Sequence, residues 1–375
     1  MGSILLDKIV KSFPDGTVAL NKLDLHVWDE EFFVILGPSG AGKTTLLKTV
    51  AGLYHHNGGH LYIDGRRVDG VPPEDRNTAM TFESFALYPH LTVYDNIANP
   101  LRSPRYGIPR DEVEREVQRV CDLLEIGHLL QRFPKELSGG QKQRVSLGRA
   151  MVRKPTVFLL DEPLSHVDAK VRHRMRLELN RLQRELNTTT LYVTHDYLEA
   201  LSLADRVGIL EDGQLVQVGS PTEIYRQPVN VSVAEQVGYP RINLLDAWVE
   251  HSAGEWQVRP FGAGGPVLFF PVSDGAGTLD WGTGEHLLGL RPQSIRIHPR
   301  GSGLGVVPAR VYVATPFVTY AIVTLLVAEE TELTALVPPD QQLEAGEEVE
   351  LSFSGSEFLF FDPTTHLNRQ TPHSA

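Results

Sequence analysis

An α/β domain around a mainly parallel sheet, followed by a small all-β barrel or sandwich, is the fold class this chain predicts. Up to about residue 220, short apolar runs alternate with helical periodicity, the pattern of strands and helices layered on a parallel sheet. From about residue 241 the helical spacing stops, and β-rich runs are separated by Gly, Pro and Asp turns. The 375 residues are enough for two hydrophobic cores, at roughly 150 residues per domain.

In the first part, Phe32 to Leu36, Val157 to Leu160, Leu191 to Val193 and Arg206 to Leu210 read as buried strands. Val171, Met175, Leu179, Leu182 and Leu186 recur at helical spacing, so "DAKVRHRMRLELNRLQREL" predicts an amphipathic helix with Asp168 as its N-cap. In the second part, "AWVEHSAGEWQVRP", "VPARVYVATPFVTYAIVTLLV" and "VELSFSGSEFLFF" read as strand pairs. The joint is expected near "VGYPRINLLD", giving domains 1–237 and 238–375, and the tail "NRQTPHSA" is expected to fray.

Composition narrows the function classes. A single cysteine, Cys121, excludes a disulfide framework or a Cys-rich zinc site. The N-terminal "MGSILLDKIVKSF" lacks a signal peptide's apolar core, and the run Val318 to Ala328 is too short to span a bilayer. The net charge of −12 is uneven: residues 241–375 carry 7 Arg, no Lys and 16 acidic residues. An acidic second half argues against nucleic acid as a partner, because phosphate binding needs clustered cations.

"GPSGAGKTT" matches G-x-x-x-x-G-K-[ST] and lies between the apolar "FFVIL" and the helical "TTLLKTVAGL". Gly37, Pro38, Ser39, Gly40, Ala41, Gly42, Lys43, Thr44 and Thr45 therefore read as a phosphate loop. Its glycines let backbone N–H groups face phosphates, Lys43 reaches the β and γ positions, and Thr44 ligates Mg²⁺. "TVFLLDEP" ends an apolar run in Asp161 and Glu162, one acid for the metal's shell and one to polarise water. His195 closes "LYVTH" and reaches a γ-phosphate if that strand neighbours the phosphate-loop strand. In "LSGGQKQR", Ser138 as N-cap with Gly139 and Gly140 makes a second anion-facing helix start.

The order of "GPSGAGKTT", "FALYPHLTV", "LSGGQ", "LLDEP", "SHVD" and "VTHD" resembles the ATPase subunit of an ATP-binding cassette (ABC) transporter over residues 1 to about 235. The resemblance implies an α/β P-loop ATPase with a helical subdomain, followed here by an OB-like β domain. It implies ATP and Mg²⁺ as ligands and a head-to-tail dimer in which Ser138, Gly139, Gly140 and Gln141 touch the ATP on the partner's P-loop. It casts Glu162 as general base, His195 as switch histidine, Asp168 as the D-loop acid, and Phe13, 24 residues before Gly37, as the ring that stacks on adenine. "GLRPQSIRIHP" and "PTEIYRQPVNVSVAEQVGYPRINLL" resemble importers of the maltose and glycerol-phosphate type. Importers of polyamines, iron or sulfate share the ATPase half. The resemblance further implies two membrane permease subunits, a solute-binding protein that acts indirectly, and a peripheral place on the cytoplasmic face of the inner membrane.

One position departs from the family. Glu83 stands among Met80, Phe82, Phe85, Leu87 and Tyr88, where the family usually has Gln reaching Mg²⁺ and the lytic water. A carboxylate oxygen also suits Mg²⁺, but it adds negative charge near Glu162, so a raised Glu83 pKa is expected without nucleotide. Three readings stay open: a tolerated substitution, a slow homodimer, or a heterodimer with a second, Gln-bearing ATPase. Of the rival classes, repair ATPases insert coiled coils or zinc-binding cysteines, translation ATPases carry two cassettes, and a silent nucleotide-binding module finds support in Glu83 alone. His55, His56 and His60 lack ligand spacing, and Mg²⁺ is the one metal expected.

Overall fold

A computed structural model describes residues 2–82, 85–103, 107–153, 155–165, 169–252, 255–262, 265–266, 268–270, 282–328, 331–353 and 358–370. By contact density the chain divides into two compact units, Met1–Pro221 and Thr222–Ala375.

The first unit opens with an antiparallel hairpin, β1 (Ile4–Ser12) and β2 (Val18–Val27). It continues through β3 (Phe32–Leu36), α1 (Lys43–Ala51), β4 (Gly58–Ile63), β5 (Arg66–Arg67) and β6 (Thr78–Thr81). Helices α2 (Val93–Ala98), α3 (Arg110–Leu123) and α4 (Gly139–Met151) follow, then β7 (Val157–Asp161), α5 (Ala169–Leu186), β8 (Thr189–Thr194), α6 (Tyr197–Leu203), β9 (Arg206–Glu211) and β10 (Gln214–Gly219). Strands β2-β1-β4-β5 form one sheet, and β10-β9-β3-β8-β7-β6 form the other. In the second sheet every neighbouring pair is parallel except β9 and β10. Strands β3, β7 and β8 are buried along their whole length, which is why Phe32–Leu36 and Val157–Leu160 read as unbroken apolar runs rather than alternating ones.

The predicted strand Leu191 to Val193 is longer in the structure, because threonines at 189, 190 and 194 also join the ladder, with Thr190 opposite Phe32 and Thr194 opposite Leu36. Helix α5 spans the predicted amphipathic segment, with Met175 and Leu179 buried and Leu177 exposed.

The second unit holds two five-stranded antiparallel sheets among its described residues. Strict alternation along Ala321–Val327 sends Ala321, Val323, Leu325 and Val327 into the core, where Leu333, Ala335 and Val337 of Thr331–Val337 meet them. The division at Pro221 falls earlier than the expected joint at 237, and Arg291 of "GLRPQ" supplies a reason. Its guanidinium is buried and donates to Tyr225 O and Ala234 O, each at 2.9 Å, and to Val237 O. It also lies 4.3 Å from the Tyr225 ring centroid. Residues 222–237 are thereby tied to the β structure that follows.

Candidate active site

Strand β3 ends at Leu36, and the tightness of the loop that follows requires its glycines. A Cβ on Gly37 would lie 2.3 Å from Leu210 O, and one on Gly42 would lie 2.3 Å from Ala19 O. Gly40 and Gly42 also have φ of +86° and +104°, a conformation that side chains disfavour. Helix α1 starts at Lys43, so its first-turn N–H groups, which have no intrahelical acceptors, face the loop. Ser39 and Gly40 are exposed at the tip, whereas Ala41 is buried beneath it. Lys43 is buried, and its Nζ donates to Gly37 O at 2.8 Å and Pro38 O at 2.9 Å. Burial lowers its pKa from the ordinary value, and the carboxylates of Glu162 and Asp161 oppose that shift.

Because β3 pairs with β8 and β8 with β7, the residues after these three strands meet at one edge of the sheet, the edge at which parallel sheets bind ligands. Thr44 Oγ1 donates to Asp161 Oδ1 at 3.0 Å. Glu162 Oε1 lies 3.8 Å from Lys43 Nζ, and Glu162 Oε2 lies 2.9 Å from His195 Nδ1. Glu162 has φ +43°, a left-handed turn off the end of β7 that is costly for a side-chain-bearing residue. Its N–H donates to Val193 O at 3.1 Å, and its C=O accepts from Ser165 N–H at 3.2 Å and Ser165 Oγ at 3.0 Å. The structure thus joins Lys43, Thr44, Asp161, Glu162 and His195, drawn from positions up to 152 residues apart, into one contiguous polar cluster.

The helix start expected to face a second anion is that of α4. Ser138 Oγ accepts from Gln141 N–H at 3.3 Å, and Gln141 Oε1 accepts from Ser138 N–H at 3.0 Å, with Gly139 and Gly140 between them. This reciprocal pair is a capping box. Between Ser138 and Gln141, Gly139 is exposed and Gly140 half-buried.

The ABC transporter family model matches residues 20–165, and the TOBE domain model matches residues 288–361. The trehalose/maltose import ATP-binding protein MalK of Thermococcus litoralis is 42% identical, over 97% of this chain and 99% of its own length. The chain belongs to the ABC transporter ATP-binding protein family. The sn-glycerol-3-phosphate import ATP-binding protein UgpC of Ralstonia nicotianae is 41% identical over 97% of this chain and 98% of that relative. The xylose/arabinose import ATP-binding protein XacK of Haloferax volcanii is 40% identical over 99% and 97%. Among solved structures, a dimeric ATP-binding cassette in a post-hydrolysis state bound to ADP and Pi is similar with a TM-score of 0.55 and 28% identity, covering 58% of this chain and 98% of that one. The chain is an ABC ATPase coupled to transport, and its second unit carries the OB-like TOBE domain.

Phe13, expected to stack on adenine, is held by neighbours that the motifs do not include. Phe13, half-buried at the β1–β2 turn, packs edge-on against Tyr54 with centroids 5.6 Å apart and planes at 86°. Lys11 Nζ lies 5.0 Å from the Phe13 centroid and 5.6 Å from that of Tyr54. Nothing local in the sequence marks Tyr54 or Lys11. Glu83 and Asp168 lie outside the described residues, and with them the expectation for the Glu83 pKa.

The described segment that follows Glu83 is held unusually. Phe85 and Ala86 have φ of +63° and +47°. Their carbonyls accept from α4: Ser146 Oγ donates to Phe85 O at 3.0 Å, and Arg149 donates to Ala86 O at 2.6 Å and Phe85 O at 3.2 Å. Buried Asn96 accepts from Tyr88 N–H at 2.8 Å and donates to Tyr88 O at 3.1 Å. Of the histidines without ligand spacing, His56 and His60 each contact Asp69, at 3.1 and 3.2 Å.

Proposed function

We propose that this ATPase binds Mg-ATP between its own P-loop and the signature turn of a second ATPase subunit, and that hydrolysis drives import of a sugar, polyol or glycerol phosphate. Two membrane permease subunits form the path, a solute-binding protein delivers the cargo, and the ATPase sits at the cytoplasmic face of the cell membrane. That the similar proteins are named as importing trehalose/maltose, sn-glycerol-3-phosphate and xylose/arabinose supports the solute class. Among the described residues no helix is long and apolar enough to cross a membrane.

The observation that carries the chemistry is the contiguous set Lys43, Glu162 and His195. Lys43 places an ammonium at the mouth of the loop for the β and γ phosphates. Glu162, a carboxylate, takes the proton from the attacking water. His195, with Nδ1 on Glu162, leaves Nε2 for a phosphate oxygen and orients the base. Phe13 offers a π face to the adenine.

Thr44 and Asp161 put two oxygens 3.0 Å apart beside the loop. Among the described residues no three His, Cys, Asp or Glu side chains converge on a metal-sized site. That donor set fits Mg²⁺, a hard ion that keeps water and takes few protein ligands alongside phosphate oxygens. Thr44 and Asp161, with Glu83, would hold it, and it would neutralise charge on the phosphates when bound.

Ser138 and Gln141 spend their side chains on each other, which favours presenting the glycine amides to an ATP held by a partner. The test is ATP hydrolysis by the full chain with and without Glu162→Gln. The substitution keeps shape and removes the base, so kcat should drop by about 10²- to 10⁴-fold with little change in nucleotide affinity. Retained turnover in Glu162→Gln would remove Glu162 from the chemistry, and failure of permeases to co-purify with a tagged chain would remove the transport assignment.

A further inference from the structure

Directly beneath His195 lies a buried polar chain that the chemistry above does not use. Glu199, in the first turn of α6, is 3% exposed. Its Oε2 accepts from Tyr192 Oη at 2.7 Å and from Thr194 Oγ1 at 2.8 Å. Thr194 Oγ1 in turn accepts the N–H of Asp196 at 3.0 Å. Tyr192 and Thr194 are two residues apart on β8 and so share one face of the strand. The chain therefore links the last residues of β8 to the start of α6 and spans a single intervening residue, His195.

Two features separate this from an ordinary satisfied core carboxylate. First, the His195 side chain is 57% exposed, so little packing orients its ring, and its direction depends on the backbone of residues 194–196. Second, a threonine hydroxyl rotates freely unless its proton is committed. Glu199 takes that proton, which turns the Thr194 lone pair to the Asp196 amide. Asp196 is held again by its own side chain, whose Oδ1 caps α6 through Leu198 N–H at 2.8 Å and whose Oδ2 lies 3.5 Å from Arg172 Nη1. Burial raises the Glu199 pKa, opposed by the hydrogen bonds from Tyr192 and Thr194. A leucine would fill the same space without that desolvation penalty.

We propose that Glu199 is a positioning residue for hydrolysis, acting through Thr194 Oγ1 and the Asp196 N–H to aim His195 Nδ1 at Glu162. The proposal rests on the reading of His195 and Glu162 given above, and the test separates the two. ATPase kinetics of the full chain are measured for Thr194→Val, Thr194→Ser, Glu199→Leu, Glu199→Gln and His195→Ala. Thr194→Val, nearly isosteric but without the hydroxyl, should lower kcat by about tenfold to hundredfold while the KM for ATP stays within about twofold, the signature of misplacement rather than lost binding. Glu199→Leu should behave likewise. Where it fails to fold, Thr194→Val, which leaves Glu199 bonded to Tyr192 Oη, carries the test. Thr194→Ser and Glu199→Gln, which restore the hydroxyl and an accepting oxygen, should recover most of the rate. A Thr194→Val enzyme with wild-type kcat beside an inactive His195→Ala enzyme overturns the proposal and leaves the site reading intact, as does a Thr194→Ser enzyme no faster than Thr194→Val. A fully active His195→Ala enzyme overturns the site reading itself.

Discussion

Replacing Arg149 by leucine tests whether α4 holds the segment after Glu83 in a conformation that segment would not keep alone. Phe85 and Ala86 are both left-handed, at about 1–2 kcal/mol each for a residue with a side chain, or roughly 2–4 kcal/mol together. Against this stand two hydrogen bonds from the Arg149 guanidinium, to Ala86 O at 2.6 Å and Phe85 O at 3.2 Å. Bonds from a charged donor contribute about 1.5–3 kcal/mol each, and partial exposure of Arg149 discounts the pair to roughly 2–4 kcal/mol. The guanidinium also lies 5.4 Å from the Tyr88 ring centroid. Clamp and strain are therefore of similar size, so removing the clamp should let the segment open while α4, whose apolar face stays packed, remains folded. The assay is amide exchange of residues 85–88 followed by mass spectrometry, with a peptide from β8 as internal reference. A loss of 2–4 kcal/mol in local opening corresponds to exchange faster by roughly 30- to 1,000-fold. Ala86→Gly in the Arg149→Leu background removes one left-handed penalty and should recover about 1–2 kcal/mol of it. Exchange in Arg149→Leu within about threefold of wild type would refute the reasoning, since the segment would then hold its shape without the arginine.

Two further expectations concern the edges of the first unit. Phe13→Ala should raise the Kd for ATP by about 5- to 150-fold, the cost of losing a stacked base, whereas Tyr54→Ala, which removes only the edge-on support at 5.6 Å, should have a smaller effect; equal affinity in Phe13→Ala and wild type, measured by nucleotide titration, would move the base elsewhere. Burial would raise the Asp69 pKa, but hydrogen bonds from Leu61 N–H, Arg67, His60 and His56 outweigh it and hold the carboxyl well below the usual carboxylate range. A depressed carboxyl pKa stabilises the fold fully above the unfolded value, 3.8, and that stabilisation is lost as pH falls below it. Acid unfolding curves should therefore show a shallower dependence below about pH 4 in Asp69→Ala than in wild type, and parallel curves would exclude Asp69 as the linked group.

Much of the architecture was legible because it follows from local rules. A strand buried on both faces favours a continuous apolar run, so β3, β7 and β9 were visible as "FFVIL", "VFLL" and "RVGIL". The ends of β8 were not, since threonine is ambiguous until a partner strand takes its hydrogen bonds. The phosphate loop and the capped start of α4 were legible for the same reason: each completes its geometry within a few residues, through glycine torsions or a capping box.

What the sequence determined by itself was therefore the geometry of short segments: a glycine loop ahead of a helix, paired acids at a strand end, a capped helix start with two glycines, and an all-β second part. Sheet order decided the rest. Only the pairing of β8 with both β3 and β7 places His195 Nδ1 2.9 Å from Glu162. Only packing across dozens of residues sets Tyr54 against Phe13, Arg149 on the carbonyls of Phe85 and Ala86, and Arg291 among the helices of residues 222–237. Such contacts leave no periodicity and no motif, because the two partners are joined by the free energy of burial and hydrogen bonding rather than by their distance along the chain.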